Sequence, residues 1–354
     1  MFRLHKIKKV KQMSGRKQHH FWQLLQRGFG IERKHNYTTV FVYKKNKTPF
    51  QTDTRNVGAE RDFFDLSPGS GADDLITKTE IELQGLVKYL QNGGLLTADF
   101  NAQIAGLVTH LETRTKFVRQ HFSENVSDMM DGLNGWFSKP EIFQKMMRKY
   151  ATENPDEIDR FIARFSDDPS TRAALKEFII GSFGSLGSKI VKSASDDALH
   201  FMKTLAEDLC KIVKQSHIEA ILNKTPDSNR QNRYLSLNYR FRSGFDGNLI
   251  CPDTMVAFLA DSRSKPFLDK DDRLEAVWVP LTPDLMLIGE PGASNDLANQ
   301  SVLRILASTS YEAFIAKSDV PDLRRLSSRI GKNAKILSSS DIKSIKRDTL
   351  ASLI

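Results

Sequence analysis

Cysteine is scarce. The 354-residue chain has two, Cys210 and Cys251, and no Cys-x-x-Cys pair. That argues against a disulfide framework and the usual structural zinc site, and it fits a reducing, cytoplasmic compartment. No apolar run approaches the roughly 20 residues of a membrane span, so no membrane contact is expected. The N-terminal "MFRLHKIKKVKQ" is basic but lacks the apolar centre and cleavage site of a secretory signal. It is Lys-rich, where a transit peptide is Arg- and Ser-rich. No Walker A loop, no HExxH and no GxSxG occurs. "GSFGSLGSK" (181–189) is glycine-rich, but it lacks the Gly-Lys-Ser order and a preceding strand, and reads as a helix-to-helix linker. No metal and no cofactor is expected.

Basic residues exceed acidic ones by nine, among 27% charged and 40% hydrophobic residues. The balance favours an anionic partner: RNA, DNA, nucleotides or an acidic protein. Residues 1–18 read as a flexible basic arm, either touching phosphates or simply solvated. "TTVFVYKK" (38–45) has the β-branched and aromatic content of a strand. "SPGSGADD" (67–74) is a linker. From Asp74 to about Lys224 the period is helical. One helix stops at Gly93-Gly94, and Thr97 is placed to cap the next, whose stripe is Phe100, Ile104, Leu107, Val108 and Leu111. Ser138 before Pro140 and Asn154 before Pro155 mark two further helix starts. The longest helix turns Leu199, Met202, Leu205, Leu209 and Val213 inward.

At Tyr234 the period falls to two. Leu235, Leu237, Tyr239 and Phe241 share one face of a strand, with Arg240 and Arg242 on the other. "LICPD" is a second strand, and "RLEAVWVPLTPDLMLIGE" two more joined at "PLTP". A helix at 294–309, the strand "YEAFIAK" and an amphipathic terminal helix follow. The fold class is α+β: an N-terminal β hairpin (19–66), a helical middle (74–224), and a C-terminal antiparallel sheet with terminal helices (234–317). Residues 19–317 read as one domain and 318–354 as a helical tail.

Arg114 projects from the middle of an apolar stripe, because it lies about 20° from Leu107 at about 100° per residue. A buried arginine needs an anionic or carbonyl partner, and Asp253 is the candidate. The pair is either a structural bridge or an anion clamp. Arg119 points about 140° away on a continuous helix, so both arginines reach one site only if the helix breaks. Arg114 and His121 have the Arg-then-His spacing of the HEPN ribonucleases, in which His acts as acid or base and Arg stabilises phosphate charge. That spacing is permissive and arises by chance in many chains; the plain reading is an exposed polar helix end. His19 and His20 form an acid/base pair or stack bases beside Trp22; otherwise His19 bonds a carbonyl within a segment anchored by Phe29. Asp253 follows Pro252 as in a PD-(D/E)xK nuclease, but Glu275 stands two before Val277 and not before a lysine, so that match fails.

Three segments together resemble the bacterial family known as domain of unknown function 4238. "HHFWQLLQRGF" has its N-terminal spacing, with His19 and Phe29 in the family positions. "VFVYKK" and "AERDFF" fall at its strand and aromatic pair, and "ETRTKFVRQ" at its Arg-bearing helix end, giving Arg114 and Arg119. "LICPDTMV" and "VPLTPDLMLI" match its C-terminal part, giving Asp253 and Pro280, with Asn299 at a later helical Asn. The sequence departs from the family at Trp22, Lys116 and Thr254-Met255, where Pro, Pro and Asn-Pro are usual. The resemblance implies a shared fold and a loose association with mobile elements and antiphage defence. It brings no reaction with it.

The expectation is therefore a nucleic-acid-directed hydrolase, ribonuclease-like and metal-independent, acting as a defence effector. His19, Arg114, His121 and Asp253 would be catalytic. Arg119, Arg240 and Arg242 would bind nucleic acid, and Trp22, Phe29, Pro280 and Asn299 would support the site. The alternative is a non-catalytic module that binds RNA, DNA or a partner protein of a defence system.

Overall fold

The computed structural model describes residues 17–33, 37–65, 72–182, 188–222, 228–292, 297–335 and 339–353. The basic arm through Arg16, most of the 67–74 linker and the centre of "GSFGSLGSK" lie outside the described residues, as do the side chains of Leu199 and Met202. The elements run β1 (Lys17–His19), α1 (Gln23–Gly28), β2 (Ile31–Arg33), β3 (Tyr37–Lys44), β4 (Phe50–Asp53), β5 (Ala59–Arg61) and α2 (Ala72–Gln91). Then come α3 (Asn101–Thr113), α4 (Lys116–Phe137), α5 (Pro140–Glu153), α6 (Pro155–Ile162), α7 (Pro169–Ser182), α8 (Ser188–Leu222) and α9 (Ser228–Leu235). The C-terminal third has β6 (Asn238–Arg242), β7 (Cys251–Pro252), β8 (Ala257–Ala260), β9 (Arg263–Lys265), β10 (Leu274–Thr282) and β11 (Leu285–Glu290). It closes with α10 (Asn299–Thr309), β12 (Ala313–Ala316), α11 (Pro321–Leu326) and α12 (Ser339–Leu353). The class is α+β, as the periodicities predict.

Contacts divide the chain into two compact units. The first takes residues up to His121 and from Lys214 to Ile336; the second takes Phe122–Val213 and Leu337–Ile354. In the first, a sheet in the order β6-β11-β10-β8-β9 is antiparallel throughout. A second sheet has the order β2-β3-β12-β7, with β4 on β3, and β1 pairs with β5 in a two-stranded ribbon. The principal core joins Phe21, Trp22, Leu25 and Phe29 to the α3 stripe (Ile104, Leu107, Val108, Leu111) and the inner faces of β10 and β11. Phe29 has no exposed surface, so the "HHFWQLLQRGF" segment is core, as its aromatics predict. The described elements of the second unit are helices.

Local chemistry explains most boundaries. Asp73 and Asp74 lie in the first turn of α2, where negative charge opposes the helix dipole favourably. Gly93, at φ +68°, takes the left-handed conformation that ends helices. Pro140 and Pro155 open α5 and α6, but the residue before α5 is Lys139 rather than Ser138, and neither Asn154 nor Thr97 caps through its side chain. Pro280, buried in β10 opposite Met286, precedes a register shift ending at Thr282. A residue without an N–H is tolerated where the ladder is irregular. The strand expected from Tyr234 starts only at Asn238. Tyr234 and Leu235 end α9, and the Tyr234 hydroxyl donates to buried Glu112 at 2.7 Å.

Candidate functional site

The helix carrying the two candidate arginines does break. α3 ends at Thr113, Arg114 is its C-cap at φ −77° and ψ −5°, and α4 begins at Lys116. Two threonine hydroxyls assist. Thr113 Oγ1 donates back to the Thr109 carbonyl at 2.8 Å, and Thr115 Oγ1 accepts from the Val118 amide at 3.4 Å. Such side-chain bonds compete with a continuous helix.

Arg114 is the largest fully buried side chain in the described structure. Its Nη1 bridges to Glu80 of α2 and donates to Nε2 of His110 at 3.1 Å, while Nη2 donates to the His19 carbonyl. Its Nε is buried without a hydrogen-bond partner. The expected Arg114–Asp253 pair is not formed. The carboxylate is Glu80, which the sequence hides on a polar helix face far upstream. Because an arginine only donates, the bare nitrogen of His110 must be Nε2, and burial, with Arg114 nearby, pushes that imidazole well below its usual pKa.

Arg119 turns to the same aromatic pair from the other side of the break. Its guanidinium lies 3.6 Å from the centre of the Phe63 ring and donates to the Phe63 carbonyl, while the Arg114 guanidinium lies 5.8 Å from the Phe64 ring. Arg119 also donates to Nδ1 of His217 (3.2 Å), whose Nε2 lies 2.8 Å from the Thr113 carbonyl, a helix-end acceptor. That carbonyl can only accept, so Nε2 carries the proton and His217 is neutral; burial, then Arg119, hold its pKa at about 3. Burial lowers Arg119 itself to about 10, against a raising influence from Glu60. His121 does not join Arg114 on one helix face, since the break intervenes; it is buried and stacked on Phe117 at 5.4 Å.

The two consecutive histidines of the opening segment face different cavities. His19 lines a cleft of about 290 Å³ with Lys17, Arg27, Thr77, Glu80 and Arg114. Its Nδ1 lies 3.4 Å from the Val57 carbonyl, so the neutral ring holds its proton there, and its Nε2 makes no hydrogen bond with the described residues. Burial lowers its pKa to about 4; the Val57 bond opposes that, and the charges of Arg114, Lys17 and Arg27 add to it. His20 lines a cavity of about 200 Å³ with Lys44, Glu60, Asp253 and Glu312. Its Nδ1 is buried without a partner, and burial, then Lys116 and Arg114, take its pKa to about 3. Lys116 bridges Glu60 at 2.7 Å and Glu312 at 2.8 Å.

Asp253 acts on the backbone. Oδ1 accepts from the Tyr311 amide at 2.7 Å, and Oδ2 accepts from Glu312 at 2.7 Å and Ala313 at 3.0 Å. It thereby seats the start of β12 against β7. Burial raises its pKa to about 6, against the lowering influence of those three amides. Arg240 and Arg242, expected to face nucleic acid, have internal partners. Arg240 donates to Glu290 at 3.3 Å, and Arg242 to Asn299 Oδ1 at 2.7 Å and to the Leu297 carbonyl. Asn299 and Arg242 thus fasten the start of α10 to β6. Trp22 sets its ring edge-on to His110 at 5.8 Å, and Pro280 belongs to the β10 core strand.

The structure therefore brings His19, Arg114, Arg119 and the Phe63–Phe64 pair together around β1. Glu80, His110, Lys116 and His217 complete the cluster, and sequence reasoning missed all four. Each sits in ordinary helical sequence; a histidine on an apolar helix face, as His110 is, is the one detectable sign. Among the described residues, no group of three or more His, Cys, Asp or Glu side chains is placed to hold a metal ion. No known family profile matches the chain, and neither a curated protein nor a solved structure matches it significantly.

Proposed function

We propose that the protein is a nucleic-acid-directed hydrolase in which His19 is the general base. One observation carries this reading: an imidazole with Nδ1 anchored on the Val57 carbonyl and Nε2 without a hydrogen bond to the described residues, on a residue that lines a cleft edged by Lys17 and Arg27. In the proposed step Nε2 takes the proton of an attacking water or ribose hydroxyl. The deprotonated oxygen forms its bond to phosphorus as the phosphorus–oxygen bond to the leaving group breaks; the leaving oxygen takes its proton from water, and the imidazolium returns its proton to solvent. Lys17 and Arg27 would offset the charge gathering on phosphate, and no metal is needed for such a step. Arg114 is reassigned to positioning, since it holds the His19 carbonyl. A role in the cytoplasm as an antiphage effector is part of this proposal, resting on the resemblance alone.

A second reading, a non-catalytic nucleic-acid- or protein-binding module, is favoured by one fact: Arg114, Asp253, Arg242 and Asn299 bond inside the protein. Labelled RNA and DNA strands separate the two. If His19 is the base, His19→Gln lowers cleavage roughly 10²–10⁴-fold while the melting temperature barely moves. Cleavage at the wild-type rate by that variant would remove His19 as the base, and no cleavage by the wild type would leave the binding reading.

A further inference from the structure

On the first unit a second groove, of about 600 Å³, runs between the β3–β4 turn and α11 with the 3-10 turn that follows it. Lys47, Thr48, Arg324, Arg325 and Ser328 line it, and no carboxylate does. The two segments that form its walls are basic. Residues 44–48 hold three lysines and residues 324–332 hold three arginines and a lysine, with no acidic residue in either stretch. Lys47 is exposed, and neither it nor Thr48 has a side-chain partner among the described residues. Arg324 is held by Asp319, its Nε donating at 2.8 Å and its Nη2 bridging the second oxygen, so its charge is compensated and Lys47 and Arg325 are the cations left to a ligand. Arg325 is 80% exposed and only 3.5 Å from an equally exposed Asp322, a contact that solvent screens.

We propose that this groove carries the phosphate backbone of a single-stranded nucleic acid. The inference rests on the hydrolase reading for what the strand is there for, but not for the binding itself. Lys47 on one side of this open groove and Arg325 on the other suit a thread of closely spaced anions. Asn46 and Thr48 also line the groove and bring uncharged donors of the kind that bond phosphate oxygens. Asn46, at φ +55°, and Pro49 fix the turn that carries Lys47, so little order has to be gained on binding.

The test is anisotropy of a labelled 30-nucleotide RNA, and of the same sequence as DNA, titrated with the full chain from 50 to 300 mM salt, with gels to monitor cutting. The double variant Lys47→Glu/Arg325→Glu should weaken binding at least tenfold and flatten the salt dependence. Lys47→Ala/Arg325→Ala should give a smaller loss in the same direction. Both positions are exposed, so circular dichroism and melting should match the wild type. Unchanged affinity in the folded variants overturns the proposal. So does equal binding of polyglutamate or of phosphatidylserine vesicles, which would make the groove an acidic-protein or membrane contact. Wild-type binding without cleavage defeats the hydrolase reading and leaves the groove standing. Cleavage with undiminished binding by both variants defeats the groove alone, and no binding of either strand defeats both.

Discussion

His19 and His20 are neighbours in the chain and line separate cavities. His19 meets Lys17, Arg27 and Glu80, and His20 meets Glu60, Asp253 and Glu312. Alternation along β1 and its continuation sends successive side chains to opposite faces. The pair therefore does not act as a two-histidine acid and base, and the two residues are separable by mutation.

If His19 is the base, its protonation removes activity. With the pKa held at about 4, cleavage should be level through neutrality and fall as pH drops through about 4. Rate measurements from pH 3.5 to 8 on protein shown to stay folded check this. An acid limb near the ordinary histidine value of about 6.5 would point to another group.

Replacing Arg114 by alanine strands Glu80, the Nε2 of His110 and the His19 carbonyl in or near the interior. The expected loss is roughly 3–5 kcal/mol in urea unfolding, the range for removing one partner of a buried bridge. Arg114→Lys should recover only part, since one ammonium does not reproduce the guanidinium fork that reaches these acceptors.

Asp253→Ala should cost about 2–4 kcal/mol, because three amides at the start of β12 lose their acceptor. Asp253→Asn keeps one carbonyl oxygen and should lose less. Activity per folded molecule should be unchanged in both, since the carboxylate binds backbone.

Acid should destabilise the first unit before carboxylate titration is complete. His19, His20 and His217 have folded pKa values of about 4, 3 and 3, below the ordinary histidine value. Their stabilising contribution is present above about pH 6.5 and is lost as pH falls toward the folded values, at up to about 1.4 kcal/mol per pH unit for each. Asp253 acts oppositely. Its pKa is raised to about 6, so its contribution is full at low pH and lost as pH rises through that value. Three against one gives a melting temperature that falls between pH 6.5 and 4. A flat profile there would contradict the buried neutral histidines.

Much of the fold was legible. The apolar stripe of α3, the proline helix starts and the β10–β11 pair follow from spacing and backbone chemistry. The site was less so. Arg114 was recognisable as a buried cation from its place in a stripe, but Glu80 lies 34 residues away on a helix whose exposed face looks ordinary. Asp253 showed its position at a strand end and not its use, because backbone amides leave no mark on composition. The break at Arg114–Thr115 rests on threonine hydroxyls and tertiary contacts, which helical periodicity does not contain.

That break also sets how the segment tolerates insertion. Across a continuous helix, one added residue would rotate everything beyond it by about 100°. Here the turn at Thr115 separates the phase of α3 from that of α4. A residue inserted in α3 ahead of Arg114 would swing Arg114 off Glu80, while the turn at Thr115 lets α4 keep its own phase, with Arg119 on Phe63 and His217. The two arginines are geometrically independent, each free to vary without carrying the other along.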